Sequence, residues 1–305
     1  MNPELQQAIT QIYETVKNEE NSGNVADYIP DLANVDTDKF GIHIQYLNGD
    51  TFGIGDYQEK FSIQSLVKVL SLCFAYKELG ADIWERLGHE PSGRAYNSLI
   101  QLELEKGRPR NPFINAGAIV ITDIIMSLYD FPRKQFLDFI HELSGDKTIN
   151  YSQSIATSEK SVGYRNIALC NFMKSFGNIK NHPNEVLDFY FDICSIEMTC
   201  EQLSNTFSFL ANNGKLLSGK EILTRSKSKR INAIMQTCGF YDESGEFAYR
   251  VGLPGKSGVG GGIVAVHPGE HIVTTWSPKL NIKGNSYRGI KFLEAFTSFA
   301  EDSIF

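Results

Sequence analysis

Cysteine is scarce and badly spaced for a covalent scaffold: the five, at 73, 170, 194, 200 and 238, are odd in number, form no Cys-x-x-Cys pair and keep no regular spacing to the six histidines. Neither a disulfide framework nor a zinc site follows. Positive charge is also short. With 29 Lys and Arg against 36 Asp and Glu, the net charge is −7 and the pI is near 5.5. That balance excludes the basic face a nucleic acid or an anionic membrane requires, and the short basic run from Lys220 to Arg230 reads as a solvated face. Long apolar runs are missing too: the longest, Ile114 to Tyr129, is broken by Asn115, Thr122 and Asp123 and falls short of a membrane span. The N-terminus carries neither a basic n-region nor an apolar h-region, so no signal peptide is expected and the cytoplasm is the expected compartment.

What is present is an ordinary globular composition, 42% hydrophobic and 21% charged over 305 residues, enough to bury one large core or two smaller ones. Its most informative stretch is Phe61-Ser-Ile-Gln-Ser65-Leu-Val-Lys68. Here a hydroxyl and an amine stand three residues apart at the start of an apolar helical pattern (Leu66, Val69, Leu70, Cys73, Phe74, Leu79), with Gly80 as the stop. Positions i and i+3 share a helix face. A serine hydroxyl is a poor nucleophile until a base removes its proton, and a desolvated lysine can be that base. First-turn N–H groups could then hold an oxyanion. Ser-x-x-Lys occurs twice more, at Ser144–Lys147 and Ser226–Lys229, in a Gly/Asp turn and a basic run, and both read as surface.

Hydropathy along the chain predicts an amphipathic helix over 4–20, then two strands, Phe40–Tyr46 and Thr51–Ile54, joined by an Asn48-Gly49-Asp50 hairpin turn. Helical patterns follow at 65–79, 95–105, 114–129, 132–143, 165–176, 184–193, 199–212 and 219–238. Strand-like segments return at Glu246–Val251, Gly262–His267 and His271–Ser277, and Tyr287–Phe299 predicts a closing helix. The fold expected is therefore α/β (α+β): a mixed antiparallel sheet drawn from both chain ends, 1–64 and 218–305, flanked by helices, with an all-helical subdomain at 65–217 inserted between them. Sites form in the cleft between such parts.

Gly252-Leu-Pro-Gly-Lys256-Ser257-Gly258-Val259-Gly-Gly-Gly262 contains Gly-Lys-Ser but is no phosphate loop. The first glycine of that motif would fall on Arg250, and a strand rather than a helix follows. Lys256-Ser257-Gly258 reads better as the start of an edge strand, where small residues admit a substrate to backbone N–H groups and Lys256 supplies positive charge beside the site. Paired with the upstream Ser-x-x-Lys, it resembles the pattern of the penicillin-recognising serine hydrolases.

A closer resemblance covers almost the whole chain. The words Ala26-Asp-Tyr28-Ile-Pro-Asp-Leu, the Ser65 stretch, Gly93-Arg-Ala-Tyr-Asn-Ser-Leu, Arg110-Asn-Pro-Phe-Ile-Asn115-Ala-Gly-Ala, Arg165-Asn166-Ile-Ala, Tyr190-Phe-Asp-Ile-Cys-Ser-Ile, Cys238-Gly-Phe-Tyr241-Asp and Gly245 through Gly262 are collinear with the serine-dependent glutaminases. That family is β-lactamase-like in fold and hydrolyses L-glutamine to L-glutamate and ammonia. Position by position, the resemblance implies Ser65 as nucleophile, Lys68 as its partner and Tyr241 as the tyrosine that exchanges protons with them. It implies the Val259 N–H, with that of Ser65, as the oxyanion hole. Tyr28 and Asn115 match positions that hold the substrate α-carboxylate, and Glu159, Asn166 and Tyr190 those that hold the α-amino end. Gln64, Leu66 and Val67 vary around the nucleophile, and Gly255 stands where alanine is also familiar; neither departure is expected to touch a functional group.

The implied chemistry is coherent, since a zwitterion needs an anion for its ammonium and donors for its carboxylate. No metal or organic cofactor is expected, and the partner expected is the small molecule L-glutamine, with no nucleic acid and no membrane. The resemblance also implies a homo-oligomer, a homotetramer. Animal members add flanking segments and ankyrin repeats that this chain does not show, so the likeness is to the compact bacterial form. Two other functions compete: a β-lactamase or penicillin-binding-type hydrolase, against which the missing export signal argues, and a non-catalytic glutamine-binding module, against which the complete set of Ser65, Lys68 and Tyr241 argues.

Overall fold

The structure is a computed structural model that describes residues 1–305 apart from 2, 28, 29 and 94–97. Helix α1 (Pro3–Asn18) and the short α2 (Pro30–Ala33) precede the hairpin β1 (Gly41–Tyr46) and β2 (Thr51–Gly55). Gly49 turns that hairpin at φ +94°, a conformation glycine adopts freely. After β3 (Phe61–Ser62) come α3 (Val67–Leu79), α4 (Leu99–Leu104), α5 (Asn115–Leu128), α6 (Pro132–Ser144), α7 (Gln153–Ser161), α8 (Tyr164–Ser175) and α9 (Pro183–Cys194). The chain then runs through β4 (Glu197–Met198), α10 (Cys200–Ala211), α11 (Arg225–Cys238), α12 (Ser244–Val251), β5 (Gly255–Ser257), β6 (Gly262–His267), β7 (His271–Trp276) and α13 (Tyr287–Ala300).

Five strands form one sheet in the order β2-β1-β7-β6-β5, and each neighbouring pair is antiparallel. Strands from the two chain ends thus meet at the β1–β7 pair, where Ile42 lies opposite Thr275 and Ile44 opposite Val273. Period-two alternation sorts the side chains between two cores. Ile42, Ile44, Ile263, Ala265 and Val273 face α1, α12 and α13, whereas Val264, Val266, Ile272 and Trp276 face the helical half. Helix α10 lies directly on that second face, held at its start by a capping box in which Thr199 accepts from Gln202 N–H and Gln202 accepts from Thr199 N–H. Its Ser204 hydroxyl donates to Thr274 Oγ1 at 2.9 Å.

Helix α3 runs through the middle of the helical half. From Val67 to Tyr76 every residue is buried, so the expected one-sided apolar face is an all-round one. Gly80 ends it at φ +61°, and Lys227 closes the exposed carbonyls of Tyr76 and Lys77 at 2.9 and 3.0 Å. Part of the Lys220–Arg230 run is therefore a helix cap rather than a solvated face.

Two other expectations fail. Glu246–Val251 is not a strand but lies in α12: Phe247 and Val251, four apart, are buried, while Tyr249 between them is 91% exposed. Three alternating apolar residues satisfied both periods, and burial shows which one applies. Helix α7 lies where no helix was expected, because its sequence, Gln-Ser-Ile-Ala-Thr-Ser-Glu-Lys-Ser, buries only Ile155, Ala156 and Glu159. The helix expected over 95–105 is seen as α4, residues 95–97 lying outside the described residues. Among the described residues no helix is long and apolar enough to cross a membrane.

Candidate active site

Ser65 does not sit inside α3 but in the 3₁₀ turn Gln64–Leu66 that leads into it. Gln64 holds φ +47°, a left-handed conformation that costs a side chain of its kind about 1–3 kcal/mol. This turn presents Ser65, half-buried, to a cleft of about 560 Å³. Seven positions singled out in the sequence line it together: Ser65, Asn115, Glu159, Asn166, Tyr190, Tyr241 and Val259. Lys68 lies beneath, 1% exposed. Tyr28 lies outside the described residues.

The Lys68 amine donates to Phe113 O at 3.2 Å and to Asn115 Oδ1 at 2.6 Å. Asn115, the first residue of α5, passes the chain on by donating from Nδ2 to Asn166 Oδ1 at 2.9 Å. Burial pushes the Lys68 ammonium down from the usual lysine range to about 8, so an appreciable neutral fraction exists near neutral pH. A neutral amine has two N–H donors and one lone pair. Both donors have acceptors here, and the lone pair is left over to take a proton.

Tyr241 stands on the other side of that amine. Its backbone is left-handed, φ +57°, and its ring centre lies 5.6 Å from Lys68 Nζ and 4.2 Å from Lys256 Nζ. Lys256 is fully buried and donates to Gly239 O at 3.0 Å, Ser257 O at 2.6 Å and Tyr241 Oη at 3.2 Å. It is pushed down to about 8, chiefly by burial and further by the neighbouring Lys68 charge. Lys256 lies on the edge strand β5 and beside the cleft, as expected, but is enclosed behind Tyr241.

The opposite wall is acidic. Glu159, 8% exposed, is pushed up to about 7 by burial, against the opposing effects of a hydrogen bond from Gln64 and the Lys68 charge. Its Oε2 has no hydrogen-bond partner. A buried carboxylate oxygen facing a polar cleft without a partner is costly unless something else fills it. Beside it, burial raises the hydroxyl of Tyr190 and the thiol of Cys194 well above their usual ranges, and these two share a hydrogen bond.

The glycines after Lys256 have a packing role that their sequence did not suggest. A Cβ on Gly258 would come within 2.7 Å of Ile63 O, and one on Gly260 within 2.2 Å of Ser62 O. They let the turn carrying Val259 press against the Ser65 turn.

The glutaminase family model matches residues 23–305. The chain belongs to the glutaminase family. It is 54% identical over 297 residues to a glutaminase of Saccharophagus degradans, covering 97% of each. A solved structure described as a probable glutaminase superposes with a TM-score of 0.93 at 33% identity, over 100% of this chain and 99% of that one. A second, titled Mglu in its glutamate form, superposes at 0.91 with 26% identity, over 100% of this chain and 70% of that one. The chain is accordingly an amidohydrolase of this family, with the β-lactamase-like fold.

Five further residues of this glutaminase that line the cleft, Val162, Gly163, Tyr164, Arg165 and Cys194, had no role in the sequence analysis, although Arg165 and Cys194 each lie in one of the matching words. Gln64 corrects an expectation: set aside as a neutral departure, it lines the cleft, bonds Glu159 and donates to Ser62 Oγ at 3.0 Å. Nothing in its side chain announced this, because the left-handed turn that aims it inward is a tertiary feature. Among the described residues no cluster of three or more His, Cys, Asp or Glu could hold a metal.

Proposed function

We propose that this glutaminase works by acyl transfer from Ser65. The Lys68 amine, with Tyr241, takes the Ser65 proton as Oγ attacks the side-chain carboxamide of L-glutamine. The C–N bond then breaks and the nitrogen leaves as ammonia, taking back that proton, while the γ-glutamyl group stays on Oγ as an ester. Water enters by the same proton route and releases L-glutamate. The oxyanion formed at each addition is held by the N–H groups of Ser65 and Val259.

The observation that carries this reading is the pairing of opposite burial effects across one cleft: a buried amine with a free lone pair beneath Ser65, and a buried carboxylate with an unpartnered oxygen across from it. The substrate ammonium would pair with Glu159 and restore that carboxylate's charge, with Asn166 and Tyr190 beside it. Asn115 keeps one Nδ2 hydrogen free of Asn166 for the α-carboxylate, and Tyr28 is assigned there on the family resemblance. That the Mglu relative was solved in a form titled with glutamate fits a product-sized site.

We read the catalytic unit as two parts, residues 1–64 with 218–305 and residues 65–217. Tyr241 and Val259 come from the first, and Ser65, Asn115, Glu159, Asn166 and Tyr190 from the second. The five unpaired, buried thiols suit the cytoplasm, and the homotetramer rests on the family resemblance.

Ammonia release from L-glutamine, with L-asparagine and a chromogenic β-lactam in parallel, tests the reading on wild type and Ser65→Ala. Release from glutamine that falls by at least about 10³-fold in the folded variant is expected. Comparable activity in Ser65→Ala would remove Ser65 as the nucleophile. Glutamine binding without ammonia release would turn the protein into a binding module.

A further inference from the structure

Tyr241 must be held where it is. A non-glycine residue at φ +57° persists only when its surroundings over-determine it, and the side chain has to meet two lysines at once. The short turn Tyr241–Glu243 is tied locally: Glu243 N–H donates to Phe240 O at 3.0 Å, and the Ser244 hydroxyl accepts from Phe240 N–H and donates to Tyr241 O, both at 3.0 Å.

Its tie to the rest of the molecule is Glu243. This carboxylate is 5% exposed and lines no part of the cleft. Asn281 Nδ2 donates to its two oxygens at 2.9 and 3.0 Å, and Asn285 Nδ2 donates to Oε2. The Asn281 amide cannot turn round, because its Oδ1 already accepts from the N–H groups of Lys283 and Asn285. Its donors therefore always face residue 243, which must supply an acceptor. The same loop reaches two other segments of the site. Leu280 exchanges backbone hydrogen bonds with Asn24 at 2.9 and 2.7 Å, just upstream of Tyr28. It also packs with Ala26, Leu32 and Val259.

We propose that Glu243, clasped by Asn281 and Asn285, is a positioning residue that fixes Tyr241 between Lys68 and Lys256, with the 280–285 loop as its anchor. This rests on the reading of Tyr241 as a proton carrier. The clasp needs an acceptor, not a charge. A glutamine at 243 can offer its carbonyl to Asn281, and Asn285, whose Oδ1 has no partner, can turn to accept from the new amide.

The test is a double-mutant cycle on turnover of L-glutamine, with thermal unfolding as the control for folding. Glu243→Ala is expected to lower kcat by roughly 10-fold or more with KM within about threefold, Glu243→Gln to recover most of that loss, and Glu243→Ala to cost nothing further in a Tyr241→Phe background. An equal loss in both backgrounds, or a Glu243→Ala enzyme with wild-type kcat, overturns the proposal. A Tyr241→Phe enzyme with wild-type kcat overturns the reading of Tyr241 beneath it and shows itself separately. Should Glu243→Ala fail to fold, Asn285→Ala removes one of the three bonds and is put through the same cycle, with a smaller loss expected that again vanishes in Tyr241→Phe.

Discussion

The two buried lysines of the cleft look alike by burial and differ by their partners. Both amines are fully enclosed and both are pushed down to about 8. Among the described residues Lys68 has two acceptors, Phe113 O and Asn115 Oδ1, whereas Lys256 has three, Gly239 O, Ser257 O and Tyr241 Oη. A protonated lysine has three N–H groups and a neutral one has two plus a lone pair. On the proposed mechanism Lys256 keeps its proton and holds a cation against the face of Tyr241, while Lys68 gives its proton up. Desolvation makes both amines labile, and on that reading the count of acceptors distinguishes the base from the fixed cation.

The largest effect that sharpens this contrast comes from Lys68→Met, which keeps the volume of the stem and removes the lone pair. Turnover is expected to fall by at least about 10³-fold, close to the loss in Ser65→Ala, and the double variant should be scarcely worse than either, since residues acting as one unit are not additive. In the wild type, kcat/KM should rise with pH. On the proposed mechanism Lys68 works neutral, so each unit below about 8 costs roughly tenfold, and Glu159 works ionised, so activity falls further below about 7. The two groups interact, so the rise gives apparent values for the pair. A flat profile from pH 6 to 9 would remove Lys68 as the base.

A smaller effect is expected from Lys256→Met. It leaves Ser65 and Lys68 in place and removes only the cation that donates to Tyr241 Oη, so kcat should fall by about 10- to 100-fold, with the pH rise assigned to Lys68 retained. If the acid limb vanished in Lys256→Met and survived in Lys68→Met, the assignment of roles would be reversed.

How much of this could be read from the sequence depended on how local each signal was. The sheet was legible because Ile42, Ile44, Ile263 and Ala265 alternate and the turns between strands carry glycine, so period and punctuation agree. Helix α12 was not, because three alternating apolar residues fit either period until Tyr249 is seen in solvent. Ser65 and Lys68 were legible from the apolar run behind them. Glu159 was visible only through the family resemblance, since α7 buries too few residues to announce a helix. Lys256 was read at the right place, but its burial was not legible, because a lysine among glycines gives no hint that Tyr241 and Gly239 close over it. Gln64 and Cys194 lie inside matching words, yet neither side chain signalled a role: one depends on a left-handed turn and the other on the packing of α9.

The smallest predicted effect is the one that tests the contrast from outside. Ser144–Lys147 and Ser226–Lys229 repeat the spacing of Ser65–Lys68, yet Lys147 and Lys229 are exposed, Ser226 is exposed, and Ser144 Oγ is occupied in a turn where it accepts from Asp146 N–H at 3.0 Å. Neither lysine is enclosed as Lys68 is, so neither pair has the burial on which the reading of Lys68 as a base rests. Ser144→Ala and Ser226→Ala should leave kcat/KM for L-glutamine within about twofold of wild type, because surface substitutions away from a special feature perturb little. A large loss in either would mean that spacing alone, without burial, can activate a serine. It would remove the reason for choosing Lys68, since its acceptors and its depth are what set it apart from the other two.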